Sequence, residues 1–322
     1  MQNLKNMILF TPGKEKVEET PKSKKWVDKF IEEREFDGIK KSTIQGDVNR
    51  LKVFLNFVEH RLKKEPEEMT NADFIKFFNY LEKERKLSKN TQNKYYNNLK
   101  VFYRLMRLKN FNDFKDESED RKRFSGFEIK HYDSLSTEIL NMIFQEILET
   151  RSTTKIRDVM IIRFLWDTGA RISEALKLTY ADSDFDKGEF RLRDTKGKEE
   201  RIVTCSDKTL ELVNYCLKGN IRKEPEDNIF QTYRGEPLQR NRISDVFRNA
   251  VKELKSQGKI PENKRVVIHS LRHGRAVDLL DKGMPIDIVK EYLGHKSLET
   301  TLYYSHSKER QENMLKKIKK IL

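Results

Sequence analysis

The chain has 322 residues, 36% hydrophobic and 37% charged, enough for two ordinary domains and too rich in recurring apolar residues to stay disordered. Its 66 Lys and Arg against 52 Asp and Glu leave a net charge of +14, which points to a polyanionic partner, nucleic acid being the commonest; the plainer explanation is a Lys/Glu-rich surface kept for solubility. No run is long and apolar enough to cross a membrane, no apolar N-terminal stretch reads as a signal peptide, and Cys205 and Cys216 fit no zinc or redox spacing, so a cytoplasmic protein is expected.

Residues 1–23 mix Lys, Glu, Thr and Pro without periodicity and read as a loose arm. Four amphipathic helices follow. The first, Lys24 to Glu35, carries Trp26, Val27, Phe30 and Ile31 on one side. Ser42 is the expected cap of the second, where Ile44, Val48, Leu51, Phe54, Leu55 and Val58 recur at helical spacing. Thr70 caps the third, with Phe74, Phe77, Phe78 and Leu81 inward. Ser88 caps the fourth, with Tyr95, Leu99, Phe102, Leu105 and Met106 as its stripe. Residues 24–112 thus form an all-helical domain.

The charge-dense stretch 113–133 lacks a long apolar stripe and reads as a linker. A second domain spans 134–322. Ser136 caps a helix holding Ile139, Leu140, Ile143 and Ile147, and Ile156 to Trp166 is apolar nearly all round, hence buried. After Tyr180, Phe185, Glu189–Leu192 and Arg201–Thr204 read as short strands, the last two joined by a Thr-Lys-Gly-Lys turn. Helices return from Lys208. The tail, residues 308–322, ends in a basic amphipathic segment with Met314, Leu315, Ile318 and Leu322 on one stripe. The fold class is mainly α, with a small antiparallel sheet in the second domain.

Four strings carry chemistry. Asp167-Thr-Gly-Ala-Arg171-Ile-Ser-Glu174 sets a glycine at a helix end and an arginine near the next helix start, where anions bind. Lys196 sits at the tip of the expected hairpin. His269-Ser-Leu-Arg272 places two cationic groups on one helix face. Gly294-His295 is followed nine residues on by Tyr304, in Thr-Leu-Tyr303-Tyr304-Ser-His306. Each string alone is weak: such arginines usually form surface ion pairs, and such tyrosines usually pack.

Taken in order, Arg171, Lys196, His269-x-x-Arg272, His295 and Tyr304 resemble the tyrosine recombinase (phage integrase) family, in particular its Xer-type and archaeal members. The resemblance covers about residues 134–307 and extends more faintly to the helical N-terminal domain, which is similar to the family's SAM-like core-binding domain. It implies a site-specific recombinase that breaks and rejoins DNA through a 3′-phosphotyrosine intermediate, with no cofactor, metal or ATP. It also implies double-stranded DNA with paired half-sites as the partner, a homotetramer on DNA from a free monomer or dimer, and a cytoplasmic, nucleoid-associated protein. Tyr303 beside Tyr304 leaves a choice of nucleophile; the spacing from His295 and the following Ser305-His306 favour Tyr304.

The roles follow from what phosphodiester cleavage needs. Arg171 and Arg272 present hydrogen-bonding forks to the non-bridging phosphate oxygens, and His295 adds a donor. Lys196 protonates the leaving 5′ oxygen, and His269 accepts the tyrosine proton although its arginine neighbours oppose its protonation. Tyr304 is the nucleophile. Glu174, three residues from Arg171, is placed to hold that guanidinium. Two other classes compete: a relative that binds DNA without cutting it, and a metal-dependent nuclease or transposase. The latter needs clustered carboxylates, and no convincing set is visible in the sequence.

Overall fold

The computed structural model describes residues 20–119, 135–193, 200–294 and 319. The chain divides into two compact units, 1–130 and 131–322.

In the first unit, helix α1 (Pro21–Phe36) starts inside the stretch expected to be a loose arm. Thr20 caps it: its Oγ1 accepts from the Ser23 amide at 3.1 Å, while Ser23 Oγ accepts from the Thr20 amide at 2.9 Å. Helix α2 (Lys41–Asn56) begins after Lys40, which makes no side-chain cap, so Ser42 lies within the helix rather than before it. Helix α3 (Asn71–Lys83) starts at Thr70 as the sequence predicts, and α4 (Lys89–Leu105) starts after Ser88, which holds the cap position but makes no side-chain capping bond.

Helix α5 (Asn112–Glu119) corrects the linker boundary at 113. Phe111 and Phe114 belong to the first unit's core. Phe111 meets Phe74 edge-on at 4.9 Å, and Phe114 stacks on Phe78 at 5.8 Å with the planes 10° apart. That core is chiefly aromatic, and each fully buried Phe contributes on the order of 1.5–3 kcal/mol.

The second unit is built around α7 (Lys155–Thr168), buried from Val159 to Trp166 save half-buried Arg163, while Ile156, expected inside, is 45% exposed. Helix α6 (Thr137–Glu149), capped by Ser136, and α10 (Arg240–Ser256) pack on one side of it. Helix α9 (Asp207–Leu217) also packs on α7.

A three-stranded antiparallel sheet stands beside these helices. Its order is β1 (Ser183–Asp184), β2 (Glu189–Arg193), β3 (Glu200–Thr204). Phe190 pairs with Val203 and Leu192 with Arg201. Phe190, Leu192 and Val203 turn into the core, where Phe190 meets Phe164 edge-on at 4.8 Å.

Helix α11 (His269–Asp281) crosses α7 at Gly274. A Cβ there would meet the Trp166 ring at 2.6 Å and the Leu135 carbonyl at 2.8 Å, so glycine is what lets the two helices approach. Helix α12 (Ile286–Leu293) ends at Gly294, in left-handed backbone with φ 66°. Among the described residues no helix is long and apolar enough to cross a membrane.

Candidate active site

The site forms where the end of α7, the start of α11 and the end of α12 meet. Helix α7 stops at Gly169, whose φ of 60° suits glycine. A Cβ at that position would meet Leu293 Cδ2 at 2.4 Å. The chain then turns through buried Ala170 to Arg171, which precedes the short helix α8 (Ile172–Ala175).

Arg171 is held from two sides. Its Nη1 donates to Glu174 Oε1 at 2.5 Å, and its backbone amide donates to Glu174 Oε2 at 3.0 Å. Its Nη2 lies 3.4 Å from the Gly294 carbonyl. The expected Arg171–Glu174 pairing is therefore present. Burial would raise the Glu174 carboxyl, but hydrogen bonds and charge from Arg201, then Arg171, hold it below the usual carboxylate range.

Arg272 is only 3% exposed. It stands on the first turn of α11, one turn after His269. Its Nη1 donates to the Gly169 carbonyl at 2.9 Å and its Nη2 to the Leu293 carbonyl at 2.5 Å. Arg171 and Arg272 thus grip the successive carbonyls of Gly294 and Leu293. These two bonds fix the direction of the Arg272 guanidinium.

His269 lies in the field of both arginines. Burial, then Arg272 and Arg171, push its imidazole below the ordinary 6.5, and Glu174 opposes them more weakly. The shift favours the uncharged form of the ring.

Arg171, His269 and Arg272 are brought together by the fold. Lys196, His295 and Tyr304, with Tyr303, lie outside the described residues. Two contributors escaped the sequence reading, Arg201 and Tyr292. Arg201 Nη2 donates to Glu174 Oε2 at 2.7 Å and its Nε to the Tyr292 carbonyl at 3.1 Å. The Tyr292 hydroxyl donates to the Thr204 carbonyl at 3.1 Å, tying α12 to β3. The structure places Arg201 on the same face of the strand as buried Val203, two residues on.

A helical SAM-like unit followed by a helical unit with this small sheet and paired arginines defines a tyrosine recombinase. The chain belongs to the phage integrase family: the profile of that family matches residues 135–311, and that of the phage integrase N-terminal SAM-like domain matches 26–111.

It is 55% identical to a probable integrase/recombinase protein of Methanocaldococcus jannaschii, over 100% of this chain and 98% of that protein. It is 28% identical to the tyrosine recombinase XerA of Saccharolobus solfataricus, over 89% of each chain. Similar solved structures include the XerH recombinase bound to its difH substrate, with TM-score 0.64, 22% identity and coverage of 91% of this chain and 84% of that one. Another is a lambda integrase dimer bound to a core site, with TM-score 0.66, 17% identity and coverage of 94% and 84%. At these identities the structural likeness is one of fold.

Proposed function

We propose that this tyrosine recombinase cuts and rejoins duplex DNA through a 3′-phosphotyrosine link to Tyr304, using neither metal ion nor ATP. Site-specific DNA recombination is the activity of the family to which the chain belongs. The observation that carries the finer reading is Arg272: a guanidinium almost wholly buried, aimed by two backbone carbonyls, with Arg171 fixed on the next carbonyl. Two such forks suit the non-bridging oxygens of one phosphate.

In the proposed reaction the Tyr304 oxygen attacks the scissile phosphorus and the bond to the 5′ oxygen breaks. His269 accepts the tyrosine proton, and Lys196 supplies a proton to the leaving 5′ oxygen. Arg171, Arg272 and His295 stabilise the charge on the pentacoordinate phosphorus. A 5′ hydroxyl from the partner strand reverses each step, and one phosphodiester replaces another, so no external energy source is consumed. The partner is double-stranded DNA with paired half-sites, bound by four copies of the chain on the nucleoid. The DNA-bound XerH and lambda integrase structures support the DNA part of this reading.

The test is a nicked duplex that traps the cleaved state. An SDS-resistant protein–DNA adduct that forms equally in EDTA and without ATP is the expected result. Adduct that vanishes in EDTA and returns with magnesium overturns the mechanism.

A further inference from the structure

Arg201 has no part in the proposed bond-breaking steps, yet it joins three parts of the site. It lies on β3 facing inward, and its side chain is 12% exposed against 3% for its partner Glu174. Besides its bonds to Glu174 and the Tyr292 carbonyl, its guanidinium lies against Gly294, where an added Cβ would meet Nη1 at 3.0 Å. This is not a surface ion pair, which would be worth little.

The two oxygens of Glu174 are shared out. Oε1 accepts from Arg171 Nη1; Oε2 accepts from Arg201 Nη2 and from the Arg171 amide. With Arg171 as its sole cation, the carboxylate would form a neutral pair and draw the Arg171 fork fully onto itself. Two guanidinium groups on one carboxylate leave a net positive charge and keep one oxygen occupied.

We propose that Arg201 is a positioning residue for strand cleavage: it takes up the negative charge of Glu174 and holds its Oε2, so that Arg171 keeps both its direction and an uncancelled charge for the scissile phosphate. The inference rests on the recombinase reading above.

The test uses the full chain and the nicked duplex, with single-turnover adduct formation and half-site affinity measured side by side. Arg201→Met is expected to slow adduct formation by roughly 10- to 100-fold, short of the loss of a whole phosphate donor. Half-site affinity should hold, because Arg201 is an interior cation. Adding Glu174→Gln to Arg201→Met should regain most of the rate, since no carboxylate then competes for Arg171. A merely structural Arg201 would not be rescued by altering a second buried residue. Arg201→Gln, which can still bond Glu174 but carries no charge, serves where the Met variant folds poorly and should be comparably slow. A folded Met or Gln variant cutting at the wild-type rate overturns the proposal, as does a double variant no faster than Arg201→Met. A wild-type chain that forms no adduct would instead strike down the recombinase reading, and this inference with it.

Discussion

Arg272 donates through Nη2 to the carbonyl of Leu293, joining the first turn of one helix to the last residue of another at 2.5 Å. Leu293 and Gly294 lead directly into His295 in the sequence. The arginines proposed to hold the phosphate therefore also fix the root of the segment that carries the remaining histidine and the tyrosine.

Arg272→Lys keeps the charge but cannot span the carbonyls of Gly169 and Leu293 as a planar fork does. It should slow adduct formation by about 10²–10³-fold. Half-site affinity should stay close to wild type, because the residue is interior and other cations dominate phosphate contact. Single-turnover cleavage beside a binding isotherm checks both numbers.

The pH dependence follows from His269. Its folded pKa lies below the ordinary 6.5, so the folded state releases the imidazole proton more readily than the unfolded chain. Stability tied to this group is present above 6.5 and is lost as pH falls through the folded value. Cleavage, which in the proposed mechanism needs the neutral ring, should show its acid limb below 6.5. NMR titration of the imidazole in the DNA-free protein should give a midpoint below that value, and Arg171→Gln should move it upward by removing one repelling charge.

Gly169→Ala tests how tightly α7 meets α12. The new Cβ would fall 2.4 Å from Leu293 Cδ2, and the backbone there has a φ of 60°. Strain and overpacking together should cost about 2–4 kcal/mol of stability. Leu293→Ala alone carries the cost of the cavity it leaves at a buried position; added to that background, Gly169→Ala should cost only the backbone part. Denaturant unfolding of the three variants measures it.

Lys196→Ala should cut an ordinary duplex slowly and a duplex with a 5′-bridging sulfur at nearly the wild-type rate. A thiolate leaves without protonation, so a missing general acid no longer matters. An equal defect on both substrates would make Lys196 a DNA contact instead.

Much of this was legible in the sequence because it depends on local order. Gly169 reads as a helix stop, His269 and Arg272 as one turn of a helix, and Thr70 and Ser136 as caps. What escaped depends on partners distant in sequence. Arg201 looks like a solvent-facing charge on a short strand until its strand mate Val203 is seen buried and Glu174, 27 residues away, is seen accepting its hydrogen bond. Phe114 sits among acidic residues in a stretch that reads as linker, and its burial depends on the rings of Phe74 and Phe78. Lys40 marks a helix start without a capping side chain, which no residue preference announces.

Adjacent Tyr303 and Tyr304 make the identity of the nucleophile sharply testable. The covalent adduct formed on a nicked duplex is digested with protease, and the peptide bearing the nucleotide is sequenced by mass spectrometry. The phosphodiester is expected on Tyr304, with adduct abolished in Tyr304→Phe, retained in Tyr303→Phe, and half-site binding kept in both. Adduct on Tyr303, or adduct that persists in Tyr304→Phe, would contradict it.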